Sequence, residues 1–83
     1  MKIVVKLFAS LSDWLPTGSR ANCMEVEVPD DATANQIIDL LKLPRNKVHL
    51  VLRNGLFVEP QDRDLPLIKA GDAIAFWPPI AGG

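Results

Sequence analysis

Only one stretch of this 83-residue sequence is written as a sustained helix, and it begins at Thr33. Thr33-Ala34-Asn35-Gln36 sets a hydroxyl N-cap three residues ahead of a glutamine. Each side chain of such a capping box satisfies a backbone N–H that the helix end leaves free. Ala34, Ile37, Ile38 and Leu41 then form an apolar stripe at 3.6-residue spacing. Pro44 cannot continue a helix, so the segment closes near Lys42 or Leu43. One helix covers one face of one small sheet, and the rest of the core must come from strands. A chain of this length buries only roughly 60% of its unfolded surface, so few elements carry that core.

The strands are legible from period-two alternation. In residues 2–8, Ile3, Val5 and Leu7 fall on one face, and Lys2, Val4, Lys6 and Phe8 on the other. Ser10–Leu15 reads as a short helical turn ended by Pro16, and Thr17-Gly18-Ser19 as loop. Met24, Val26 and Val28 alternate with Glu25 and Glu27 in a second strand, closed by Pro29-Asp30-Asp31. Val48–Arg53 and Leu56–Val58 flank Asn54-Gly55, a dipeptide that favours the positive φ values of a type I′ hairpin turn. Ala70-Gly71-Asp72 is a turn and Ala73–Trp77 the last strand. The expected order is β-β-α-β-β-β in an α+β fold with a mixed sheet. The first and last strands must lie close together if one helix is to shield both apolar faces.

Several functions are excluded or disfavoured at once. A formal charge of −1 with nine basic residues spread along the chain argues against nucleic acid as the main partner. No run approaches the roughly 20 apolar residues of a membrane span. Residues 1–11 carry Lys6 in their middle and no cleavage site after them, so they read as a strand rather than a signal peptide. A single cysteine, Cys23, cannot form an internal disulfide, and a reducing cytoplasm is the expected compartment. Cys23 and His49 each stand alone, with no triad order, no metal-ligand spacing and no Gly-rich phosphate loop. Cys23, beside a strand start, reads as a small hydrophobe, and His49 as a histidine on the uncovered face of the sheet. No metal and no bound cofactor are expected.

The end of the sequence is different. After the last strand come Pro78-Pro79-Ile80-Ala81-Gly82-Gly83. Two terminal glycines arise by chance in about 0.5% of sequences at ordinary glycine usage, so a frayed end is the weaker reading. Pro-Pro favours stiff, extended geometry that projects the last residues off the body. Gly82 and Gly83, lacking Cβ, suit passage through a narrow cleft in another protein. The division is a body of residues 1–77 and a projecting tail of residues 78–83. A carboxylate on such a tail becomes electrophilic once ATP converts it to an acyl-adenylate, and a sulfur donor can then leave a thiocarboxylate.

Leu7-Phe8-Ala9-Ser10-Leu11, Val28-Pro29 with Ala32-Thr33, Asn54-Gly55, and the run from Gly71-Asp72-Ala73-Ile74 through Phe76-Trp77-Pro78-Pro79 to Gly82-Gly83 together resemble the MoaD/ThiS sulfur carriers. The resemblance covers essentially the whole chain and is most specific at its end. It implies a β-grasp, ubiquitin-like fold and an E1-like enzyme that uses ATP to adenylate Gly83. A sulfur donor protein then supplies the thiocarboxylate sulfur. The tail ending is most like that of the small subunit of molybdopterin synthase. The partner there is a larger catalytic subunit, with Pro78, Pro79, Ile80 and Ala81 in its channel and Gly82 as the flexible approach. A carrier for thiamin, cysteine or another sulfur metabolite, or a modifier joined to lysines, shares the same activated ending. Arg53 stands before Asn-Gly where the family usually has an apolar residue, and Trp77 where phenylalanine is common.

A docking surface is also expected. If Ile74 and Phe76 enter the core, Ala75 and Trp77 face away from the helix, and alternation places Phe8 and Val51 with them. Phe8, Val51 and Trp77 then form an apolar partner-binding patch beside the tail. The alternative is that Trp77 folds back over the sheet edge and completes the core.

Overall fold

The computed structural model describes residues 1–16 and 22–79. Its elements are β1 (Lys2–Leu7), a 3-10 turn (Ala9–Trp14), β2 (Cys23–Glu27), α1 (Ala34–Leu40), β3 (Leu50–Arg53), β4 (Leu56–Phe57) and β5 (Ala73–Trp77). Two further 3-10 turns, Arg45–Lys47 and Pro60–Asp62, bracket the β3–β4 hairpin. The strands form one mixed sheet in the order β2-β1-β5-β3-β4. At its centre β1 runs parallel to β5, with Val5 opposite Ile74 and Leu7 opposite Phe76. The other neighbouring pairs are antiparallel. This is the β-grasp arrangement, with α1 packed on one face of the sheet. The loop expected at Thr17-Gly18-Ser19 lies outside the described residues.

The core follows the alternation. Ile3, Val5, Leu7, Ile74 and Phe76 are fully buried, as are Ile37 of α1 and Leu11 of the first 3-10 turn. The capping box forms as written: the Gln36 amide N–H donates to the Thr33 hydroxyl, and the Thr33 amide donates to Gln36 Oε1. Asn54 and Gly55 both have positive φ, +51° and +83°, as a type I′ turn requires.

The helix ends a residue or two sooner than Pro44 alone would require. Leu41 is its C-cap, and Lys42 turns into the left-handed region at φ +58°. The Lys42 amide donates to the Asp39 carbonyl and the Leu43 amide to the Ile38 carbonyl. That pair of bonds is the Schellman motif, which lets buried Leu43 close over the helix end. A lysine holds a position where a Cβ is unfavourable. Lys42→Gly is therefore expected to raise unfolding stability by about 0.5–1 kcal/mol in a urea titration.

The β3–β4 hairpin is locked to β5 through Asp72, whose side chain is 12% exposed. Asp72 Oδ2 accepts from Arg53 Nε at 2.7 Å and from the Lys69 amide at 2.8 Å, and Oδ1 accepts from Asn54 Nδ2 at 3.0 Å. Asn54 Oδ1 in turn accepts from the Ala73 amide at 2.9 Å. Arg53, the departure from the usual apolar residue, thus has its partner across the sheet in Asp72. Burial pushes the Asp72 carboxyl up, but the Lys69 amide, Asn54 and Arg53 outweigh it and hold the group below its usual range. A folded-state pKa below the unfolded one stabilises the fold above about pH 4, and the contribution is lost as pH falls through the depressed value. Asp72→Asn should cost about 1–3 kcal/mol at pH 7. Its deficit against the parent should shrink in melts taken below about pH 4.

Candidate functional site

The residues expected to carry chemistry, Gly83 and Gly82 with Ala81 and Ile80, lie outside the described residues. Their root is described. Trp77 ends β5, Pro78 is buried against the body, and Pro79 is exposed. Backbone bonds hold this root on both sides. The Phe8 amide donates to the Phe76 carbonyl at 3.3 Å, and the His49 amide to the Trp77 carbonyl at 2.8 Å. Proline carries no N–H, so the ladder cannot extend through Pro78.

Phe8 and Trp77 meet on the face away from α1. Their rings stack with centroids 4.0 Å apart and planes within 6°. Both are half-buried, so Trp77 neither completes the core nor stands free in solvent. Register adds Leu50 opposite Trp77 and Leu52 opposite Ala75 on β3, and Lys6 opposite Ala75 on β1.

Val51 does not join them. It is fully buried, opposite Phe76 in the core. The cause is at His49. Val48 and Val51 are both buried although three residues apart, which strict alternation forbids. The His49 amide bonds the Trp77 carbonyl even though Leu50 is the register partner of Trp77, so β3 enters with one extra residue, as in a β-bulge. That residue reverses the phase, sending Val51 inward and Leu50 and Leu52 outward. A shallow hollow of about 200 Å³ is lined by Lys6, Phe8, Leu52, Gly55, Ala73, Ala75 and Trp77. A neighbouring apolar hollow is bounded by His49, Leu50, Trp77 and Pro78. His49, exposed, thus sits at the tail root just before β3 rather than within it.

Sequence reasoning did not single out Arg63. It is buried in the segment after β4, where Nη2 donates to the His49 carbonyl at 3.0 Å and Nε to the Val58 carbonyl at 3.3 Å. Burial presses the guanidinium toward a lower pKa, opposed by nearby Glu59. The Arg63 carbonyl accepts from the Asn35 amide in the first turn of α1. Arg63 therefore links the helix start to the bulge that borders the tail. Its partners are backbone carbonyls, which leave no side-chain signature in a sequence. Cys23 opens β2 opposite Lys6, half-buried. Among the described residues, no cluster of three His, Cys, Asp or Glu groups could hold a metal ion, and no helix is long and apolar enough to cross a membrane. A hollow of about 370 Å³ beside Pro29, Gln36, Asp39 and Leu40 gathers no further chemistry.

The model of the ThiS family matches residues 5–83. The chain belongs to the ThiS family. Solved structures agree with that assignment. The chain is similar to the small archaeal modifier protein SAMP1 of Haloferax volcanii, with 29% identity over 100% of both chains and a TM-score of 0.66. It is also similar to the HVO 2177 protein of Haloferax volcanii, at 26% identity over 100% of this chain and 87% of that one, with a TM-score of 0.76. A Pyrococcus furiosus protein provisionally assigned as molybdopterin converting factor, subunit 1, shares the fold at 22% identity, over 95% of this chain and 98% of that one, with a TM-score of 0.68. No curated protein shows significant similarity. The chain is thus a member of the ThiS/MoaD-like superfamily of ubiquitin-fold sulfur carriers and protein modifiers, small proteins without a catalytic centre of their own.

For this ThiS-family chain the aromatic stack is a specific side-chain contact at the tail root among the described residues. Stacked pairs couple by about 0.5–1.5 kcal/mol beyond their burial. A double-mutant cycle of Phe8→Leu and Trp77→Leu, read by urea unfolding, is expected to return a coupling in that range. Additive effects would mean that the rings touch without supporting each other.

Proposed function

We propose that this protein is a ubiquitin-like carrier activated at the Gly83 carboxyl, which serves as a sulfur carrier and as a modifier of other proteins. The supporting observation is that the ThiS-family match runs through Gly83 on a body whose last strand ends at the tail root. An E1-like enzyme supplies the ATP site. A Gly83 carboxylate oxygen attacks the α-phosphorus of ATP, pyrophosphate leaves, and an acyl-adenylate forms. From there two nucleophiles compete. A lysine amine attacks the acyl carbon, expels AMP, loses a proton and forms an isopeptide bond. A persulfide sulfur on a donor protein expels AMP instead, giving an acyl disulfide. Reduction of its S–S bond by a thiol leaves the thiocarboxylate. The carrier's own side chains act in neither branch; they dock, and they hold the tail root in place. Full-length likeness to a small archaeal modifier protein favours including the lysine branch.

A second reading has its own support in the tail. Phe76-Trp77-Pro78-Pro79 before Gly82-Gly83 resembles the ending of molybdopterin synthase small subunits. In that reading a larger subunit receives residues 78–83 and consumes the thiocarboxylate sulfur.

Incubation with the cognate E1-like enzyme, ATP and a sulfur donor should raise the intact mass by about 16 Da as sulfur replaces oxygen at the activated acyl group. Deletion of Gly83 should abolish that gain and leave the melting curve unchanged. Normal loading of the truncated chain, or a gain that disappears in Cys23→Ala, would overturn the proposal. Reductant-stable adducts on lysine-bearing proteins identify the modifier branch. A stable complex with a larger subunit that discharges the sulfur identifies the synthase reading.

A further inference from the structure

We propose that Lys6 is the electrostatic anchor of the outer face, and that the E1-like enzyme meets it with a carboxylate set among apolar groups. This inference rests on the reading of Gly83 as the activated residue. Lys6 is half-buried in β1, on the same face as Phe8, Ala75 and Trp77, and helps line the hollow of about 200 Å³ at the foot of the aromatic stack. Three other cations around the sheet are engaged. Lys2 pairs with Glu25 at 3.7 Å, Arg53 with Asp72 at 2.7 Å, and Arg63 with two carbonyls. Among the described residues the Lys6 ammonium has no ion-pair or hydrogen-bond partner. Glu25, the nearest carboxylate by register on β2, sits opposite Val4 and is taken by Lys2.

A lysine stem laid along an apolar face keeps its ammonium at the rim, and without a counter-ion that charge gains little in the isolated chain. A carboxylate arriving with a desolvating partner turns that into attraction and rejects partners that bring a cation. Tail length says how near the E1-like enzyme must sit. Gly83 lies six residues beyond Trp77, a reach of about 20 Å when fully extended. An enzyme that holds the Gly83 carboxyl in its active site therefore sits close to the face where the tail begins. Phe8, Leu52 and Trp77 supply the apolar contact, and Lys6 supplies the charge that sets partner and orientation.

The test is ATP–pyrophosphate exchange by the E1-like enzyme, with the carrier as the varied substrate. Lys6→Glu should raise the KM for the carrier about tenfold or more, Lys6→Gln a few-fold, and Lys6→Arg by less than about twofold. Because Gly83 is untouched, kcat should stay within about twofold in all three. The parent KM should rise with added salt, and the Gln variant should lose most of that slope. Melting curves check folding, and if Lys6→Glu is unstable the Gln variant and its salt slope decide. A KM within about twofold of the parent for the Glu and Gln variants, or an effect confined to kcat, overturns the anchor and leaves Lys6 as a solubilising charge on the face. No exchange with the unmodified carrier overturns the function reading itself, and the anchor falls with it.

Discussion

Parallel pairing of the first and last strands governs the rest of this molecule. β1 and β5 meet at the centre of the sheet, so the chain between them is a single long crossover. A parallel connection needs an element that spans the sheet and covers it. The seven-residue α1 is the helix available among the described residues, so it lies over the seam where Ile3, Val5, Leu7, Ile74 and Phe76 converge. β2 and the β3–β4 hairpin then extend the sheet outward on either side. The same pairing brings Phe8, just past the end of β1, beside Trp77 at the end of β5. Tail root and aromatic stack are thus products of one register.

Two faces of the sheet have different fates because of that arrangement. The helix side is filled, and its buried side-chain polar atoms are all satisfied among the described residues. The other side keeps Leu50, Leu52, Ala75, Phe8 and Trp77 half-exposed around Lys6. On the proposed function, a face of this sort suits a carrier, because contact area and charge select the partner while the reacting atom is carried elsewhere. On that proposal, chemistry and recognition are separated along the chain.

Local signals were legible in the sequence, whereas those depending on distant partners were not. Thr33 and Gln36 specify the helix start by themselves, Asn54-Gly55 specifies its turn, and the alternation of β5 correctly sends Ile74 and Phe76 inward. Val51 defeated the same logic. Alternation counts from a strand's first residue, and the bulge at His49 inserts one residue that no composition cue marks. The helix end at Lys42 was displaced because a lysine took a conformation usually reserved for glycine. Asp72 and Arg63 hold the fold through contacts with residues up to 19 positions away in Asp72–Arg53 and 14 in Arg63–His49. Such pairs read as ordinary surface charge until the chain is folded. For the candidate site, the sequence singled out the tail ending and the outward-facing Phe8 and Trp77, but not the bulge that fixes which β3 residues accompany them.

The strand end itself has an energetic consequence for delivery. A tail threaded into another protein's active site loses conformational freedom, and every residue ordered in the complex costs binding energy. Here the ordering begins before any partner arrives. Trp77 is bonded through its carbonyl to His49, stacked on Phe8 and followed by a buried Pro78 whose φ is fixed by its ring. Arg63 steadies the opposite side by bonding the carbonyl of that same His49. The position of the chain through Pro78 is therefore set by the fold. In the proposed activation at Gly83, loosening the root would leave the carboxyl chemically intact but lower its effective concentration at the adenylating site. On that proposal, the long-range contacts that hold the β3 entry and the tail root in register become part of the function, although none of them is at the proposed reacting group.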